Sequence, residues 1–501
     1  MDVLKKYRYE IGFFAFLIVF FLFTRLYNIL LLPIFTDESI YIYWAKTIVT
    51  THAHWLISLS DGKPPLLVWM ISLLLIALPS HLYLLAGRLP SVFSGLLAVI
   101  AIYKLTYILF KSKKASYIAM LLYTIIPFTL FYDRMALFDS LLCSMLLWTV
   151  YFSIKTAYTL QYKDALLWGV FLGFSFLAKP PALLFLFFTP FCFFLFANKK
   201  KIWINKKRLL FLVGLPIFIS LFIDNLQRLS GAYALMEIKN RQFQYPLADI
   251  ISNPFLHIPG SIHGLFGWFI DYMTFPFFLV CLISAVAIMY FKKKEGMMLF
   301  GLWFLSIMAF AVVGRELFPR YILFVVPYFI IPFAYVLSGL LRQSKLITVA
   351  TIVVMLTILF PALNFDRFIL TDPTKAAFPE TDYNQYIGDH PSGYGLDKIF
   401  SFIHEKAKTE KITVITQGTF GLYPYAFNLE FWDDRNVLVI GDWPLLNLND
   451  KIIHAKKAGR VYLVFKEQAG ISPGMPLETI LRADKPSGRY PIFFTELVRI
   501  P

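Results

Sequence analysis

The chain has 501 residues, of which 58% are hydrophobic, 18% aromatic and 16% charged, an apolar share above that of soluble domains that places most of it in lipid. Its net charge is +16, but lysines and arginines come as short runs between apolar stretches and not as one basic patch. That pattern excludes nucleic acid as the partner and fits charge that flanks membrane spans on the cytoplasmic side.

The first apolar run, Ile11 to Leu32, follows Lys5, Lys6 and Arg8. It is too long for a signal-peptide core and no small-residue cleavage site follows, so a retained span is expected. A crossing takes about 20 apolar residues. Further spans are therefore expected near 89–110, 115–132, 139–157, 165–179, 181–198, 209–227, 264–290, 297–314, 321–341 and 345–362, about eleven in all. The loops carrying Lys111/Lys113/Lys114, Lys163, Lys199–Lys201 with Lys206–Arg208, Lys292–Lys294 and Arg342/Lys345 are assigned to the cytoplasm.

Leu66–Leu78 is apolar too, but short, preceded by Pro64-Pro65 and followed by Pro79. It is read as a helix along the outer interface, because a crossing there would invert every later loop. Outside then lie 33–88, the Asp133–Asp139 turn, the Lys179-Pro180-Pro181 turn, 228–263, Arg315–Arg320 and the C-terminus. After Asn364 charges, Gly and Pro rise, and β-type runs occur at Ile412–Thr416, Val437–Ile440 and Val461–Phe465. The expected organisation is a membrane domain over 1–362 and an extracytoplasmic α/β domain over 363–501. Cys143, Cys192 and Cys281 all fall in apolar segments, where a thiol acts as a small hydrophobe, so neither a disulfide nor thiol chemistry is expected.

Three outside features carry charge at membrane edges, where it is costly unless solvated or used. Asp37-Glu38 follows Thr36 just after the first span; it reads either as the acidic first turn of a helix capped by Thr36 or as a catalytic carboxylate. Lys63 stands before Pro64-Pro65, which restrict its backbone; it is either a snorkelling interfacial lysine or a clamp on a phosphate. Asp133-Arg134 and Asp139 share a tight turn, read as a solvated hairpin or as part of a site. Together they form an inventory for moving a sugar off a lipid phosphate: a base for an acceptor hydroxyl and cations for the departing phosphate.

These residues resemble a known family. Asp37-Glu38 with Tyr41 a turn later, Gly62-Lys63-Pro64-Pro65-Leu66, Arg88-Leu89-Pro90-Ser91, the Asp133–Asp139 turn, Ala178-Lys179-Pro180 and Pro319-Arg320-Tyr321 are similar to motifs of polyprenyl-phosphate-sugar-dependent glycosyltransferases. Protein O-mannosyltransferases and the aminoarabinose transferases of lipid A belong to that group. Pro391-Ser392-Gly393-Tyr394-Gly395 is similar to the segment after the last span in its bacterial-type members.

The resemblance implies a GT-C fold of α-helical spans with external juxtamembrane helices, and transfer of a mannose-like or other sugar, with inversion, to a hydroxyl of a protein, lipid or glycan. By motif, Asp37 would be the catalytic carboxylate, with Asp139 shaping the acceptor or ion site. Glu38, Tyr41, Lys63, Arg88, Arg134, Arg320 and Tyr321 would bind substrate. Aminoarabinose transferases carry a metal-binding glutamate where this chain has Gly62, so no metal ligand is assigned; a divalent cation is left as a possible cofactor, with His257 and His263 as loop candidates.

Overall fold

Apolar sequence becomes helix almost throughout the first 372 residues. In the computed structural model the described residues are 2–51, 54–198, 206–253, 255–472 and 474–499. Among them seven helices are long and apolar enough to cross a membrane: Tyr9–Leu26, Ser80–Phe110, Phe138–Thr159, Lys207–Leu229, Lys293–Val313, Pro319–Leu340 and Lys345–Thr371. An eighth crossing is possible if Ile258–Met273 and Phe275–Phe291 act as one, although they meet at 108°.

Of the eleven stretches read as spans, 115–132, 165–179 and 181–198 form helices shorter than a crossing, and the first helix ends at Leu26, short of Leu32; the departures from single straight helices have local causes. The 115–132 stretch divides into Lys113–Ile125 and Pro127–Tyr132, because a residue before proline avoids the α region and Ile126 is extended. The 264–290 stretch is bent at Thr274, which takes a positive φ of 64°, and Pro276 follows in the first turn of the next helix without an amide hydrogen to continue the ladder. Leu66–Ala77 has 12 residues and so measures about 18 Å, short of the roughly 30 Å hydrocarbon thickness.

The chain divides into two compact units. The first comprises the N-terminal segment to Ile29, His54–Leu67 and Arg88–Asp372; the second comprises Leu30–Ala53, Val68–Gly87 and Pro373–Pro501. The boundary expected at 363 falls inside the helix Lys345–Thr371, so the C-terminal part begins at Pro373. It also takes in Thr36–Thr51 and most of Leu66–Ala77 from the first loop.

The second unit holds a five-stranded sheet of β1 (Ile412–Gln417), β2 (Val437–Asp442), β3 (Arg460–Phe465), β4 (Leu477–Ala483) and β5 (Ile492–Leu497), ordered β2-β1-β3-β5-β4. Strands β2, β1 and β3 are parallel, as helical connections allow, while β5 runs antiparallel to β3 and β4. Helices Leu422–Glu430 and Asp450–Ala458 make the crossovers. Ile415, Leu463, Phe465 and Leu497 from the sheet pack with Ile452 in its core.

Candidate functional site

In the first unit, two Lys-Pro-Pro turns supply ammonium groups. Pro180 ends the helix Tyr162–Ala178 and leaves Lys179 extended at φ −163°, ψ 144°. Lys179 Nζ lies 2.5 Å from Asp139 Oδ1, and that carboxylate is 4% exposed. The same ammonium stands 4.0 Å from the centre of the Tyr321 ring, a cation–π contact. Arg320 and Tyr321 come from the 3-10 turn Pro319–Val325, with the Arg320 guanidinium over the rings of Phe318 and Tyr321.

Lys63 belongs to the same group. Burial is the main influence against the charge on Lys179, Asp139 favours that charge, and Arg320 and Lys63 are near enough to oppose it. Lys63 Nζ faces the Phe243 ring at 5.2 Å, and its amide donates to Ser58 O. Gly62 before it has φ 76°, and a Cβ there would come within 2.7 Å of Lys239 Cβ, so only glycine fits this turn. Three cations and one carboxylate leave a net charge of +2, counting Lys63, Lys179 and Arg320 against Asp139. This is an arrangement suited to a phosphate.

Two other basic candidates are engaged elsewhere. Arg134 Nη1 donates to the carbonyls of Thr24, Arg25 and Tyr27, and Nη2 to that of Asn28, all within 2.7–2.9 Å. Thr24 and Arg25 lie in the last turn of the first helix, whose carbonyls lack intrahelical partners, and Tyr27 and Asn28 follow it, so Arg134 caps that helix end and its forks are occupied. Arg88 is fully buried and donates to Ile29 O at 2.6 Å. Beside them Asp133 pairs with Arg25 at 3.2 Å, both completely buried. The substrate-binding roles expected of Arg134 and Arg88 thus meet side chains already tied to backbone of the same unit.

In the second unit, Asp37 and Glu38 occupy the first turn of Thr36–Thr51. Glu38 is buried, and its Oε2 accepts from the Phe35 amide at 3.1 Å. Thr36 does not cap the helix with its hydroxyl as the sequence suggested; that hydroxyl donates to Pro391 O at 2.9 Å. Asp37 is partly exposed. Tyr41 is buried beside Trp44, ring centres 5.8 Å apart.

Among the described residues no three His, Cys, Asp or Glu side chains gather as metal ligands. Asp61, next to Gly62, pairs with Lys239 at 3.4 Å. His257 stacks on Tyr245 with ring centres 3.8 Å apart. These donors do not fit a metal site of that kind.

Long apolar helices, short helices in the loop after the first span, and a C-terminal sheet domain define a polytopic membrane protein of the GT-C fold. Residues 62–226 match the family described as dolichyl-phosphate-mannose-protein mannosyltransferase; that segment holds Lys63, Arg88, Arg134, Asp139 and Lys179, and leaves Asp37 and Arg320 outside. Over the whole chain the fold is like that of ArnT from Cupriavidus metallidurans bound to undecaprenyl phosphate, with a TM-score of 0.57 at 13% identity over 98% of each chain. The apo form of that protein gives 0.56 at 13% identity, over 99% of this chain and 98% of that one. No curated protein sequence matches the chain. The resemblance read from the motifs is therefore met by a family match over one segment and by the fold over nearly all of the chain.

Proposed function

We propose that this protein transfers a sugar from a polyprenyl-phosphate donor to an acceptor hydroxyl at the extracytoplasmic face of the membrane. The observation that carries this reading is the ion pair of Lys179 with Asp139, with Arg320 on the same Tyr321 ring as Lys179 and the charge of Lys63 felt at Lys179, in a fold shared with a protein solved with undecaprenyl phosphate. The acceptor oxygen attacks the anomeric carbon from the side opposite the phosphate, so configuration inverts. Asp37 takes the hydroxyl proton, and the C–O bond to phosphate breaks with its electron pair on the phosphate oxygen. The three cations stabilise that charge, and a phosphate of this kind leaves without a proton donor. Asp139 holds Lys179 in place, and Glu38 fixes the turn that bears Asp37.

The test is to incubate the purified protein with radiolabelled polyprenyl-phosphate mannose and envelope extract, and to follow label into protein, lipid and glycan fractions. Transfer into one of them is expected; movement of intact donor across vesicles without transfer would instead make it a lipid transporter. The sidedness is tested with single cysteines at Lys113 and Asn384, which should react with an impermeant reagent from opposite faces.

A further inference from the structure

The segment 388–395 runs between two partners within the second unit. On one side stands the loop joining β4 to β5: Ser487 Oγ donates to Gly388 O at 2.6 Å, and Lys485 Nζ donates to Ser392 O at 2.5 Å. On the other stands the start of the helix that carries Asp37. Thr36 donates to Pro391 O through both its amide, at 3.0 Å, and its hydroxyl, at 2.9 Å. Phe35 forms an antiparallel bridge with Ser392, and its ring lies 4.5 Å from that of Tyr386. At Gly393 a Cβ would sit 2.2 Å from Ile34 O, so the two backbones touch where no side chain fits.

Three consecutive residues before Asp37 are therefore held by a strand that the C-terminal domain holds in turn. Of the two polar ties from that loop, Lys485 is the one that reaches the bridge to Phe35, and it is an expensive one. Its side chain is 4% exposed, and an ammonium taken out of water costs more than an apolar residue of the same length would. Its return is one directed bond to the Ser392 carbonyl, in the middle of the bridge to Phe35.

We infer that Lys485 is a positioning residue for transfer: through Ser392 it fixes the 34–36 backbone and so the direction of the Asp37 carboxylate, which gives the C-terminal domain a part in the chemical step. The inference rests on the reading of Asp37 as the base. A general base acts only within hydrogen-bond reach of its proton, and misplacement by about 1 Å costs on the order of 100-fold.

The test is a double-mutant cycle on the full-length protein, with polyprenyl-phosphate mannose as donor. Lys485→Met is expected to lower kcat by about 10- to 100-fold with donor KM unchanged. In an Asp37→Asn background it should lower the residual rate no further, because the group it positions is gone. Gly393→Ala, which pushes the same strand away from Ile34 without touching Lys485, should show the same kcat loss and the same non-additivity. It also carries the test if Lys485→Met does not fold. Unchanged kcat in either folded variant, or an equal loss with and without Asp37, would overturn the inference. An Asp37→Asn protein with the wild-type rate would instead overturn the underlying reading.

Discussion

Replacing Lys179 by methionine separates what this lysine does for the fold from what it does for a phosphate. Asp139 lies 2.5 Å from Lys179 Nζ and is almost wholly buried, so Lys179→Met leaves a carboxylate with its partner removed. The cost of such a loss is about 3–5 kcal/mol, enough to lower Tm of the detergent-solubilised protein by many degrees. Making Asp139→Asn as well removes the stranded charge, and a neutral pair often matches a buried ion pair in stability, so the double variant should regain most of the loss. Donor binding should not recover. A hydrogen bond from a charged group contributes about 1.5–3 kcal/mol, so donor KM should rise about 10- to 150-fold in the double variant. A double variant with wild-type Tm and wild-type donor KM would show that Lys179 serves Asp139 and nothing else.

Asp37→Asn should lower transfer about 100-fold or more while Tm barely moves, because Glu38 and Thr36 hold the turn; near-normal transfer would remove Asp37 from the mechanism. Lys63→Ala should raise donor KM far more than it lowers Tm, since a partly exposed lysine adds little stability, and equal donor affinity would take it out of the clamp. Arg134→Gln should do the reverse, with folded yield and Tm falling as four carbonyl contacts are lost, and with donor KM unchanged in whatever protein folds. Burial pushes the Lys485 amine down from 10.5 to about 8, with Asp389 opposing. Between those values the unfolded chain binds the extra proton, so the stability difference between wild type and Lys485→Met should rise in favour of wild type from pH 8 to 10.5, by about 3 kcal/mol. Thermal unfolding across that range checks it, and a flat or falling difference refutes it.

Seven of the eleven expected spans recur as helices long and apolar enough to cross, legible because lipid demands long apolar runs, and the 12 residues of Leu66–Ala77 set it apart from them. The bend at Thr274 was not legible, since nothing in an unbroken apolar stretch shows where a helix turns. Strands β4 and β5 were not among the expected β-type runs; for β4, Leu477–Ala483 mixes apolar and charged residues, with a register shift between Thr479 and Leu481. At the site, the signal that picked out Lys63, a lysine before two prolines, stands again at Lys179-Pro180-Pro181. That turn is among the matching motifs with no role assigned to its lysine; the same signal applied twice would assign one to the lysine that meets Asp139 and Tyr321. The carbonyl contacts of Arg134 could not be read from the sequence, because its partners lie more than a hundred residues earlier and sequence carries no mark of which carbonyls lack a donor.

The fastening of the first helix sets an order of assembly. Its end is held by Asp133 through Arg25 and by Arg134 through four carbonyls, side chains 108 residues or more downstream of Arg25. While the ribosome is making the intervening chain, the guanidinium of Arg25 lacks the carboxylate of Asp133 that it pairs with, and an unpaired charge favours the headgroup layer. The helix can therefore settle at its final depth only once the turn at 133–134 has emerged, and a nascent chain stopped short of it should leave the N-terminal helix loosely anchored and open to membrane-bound quality control.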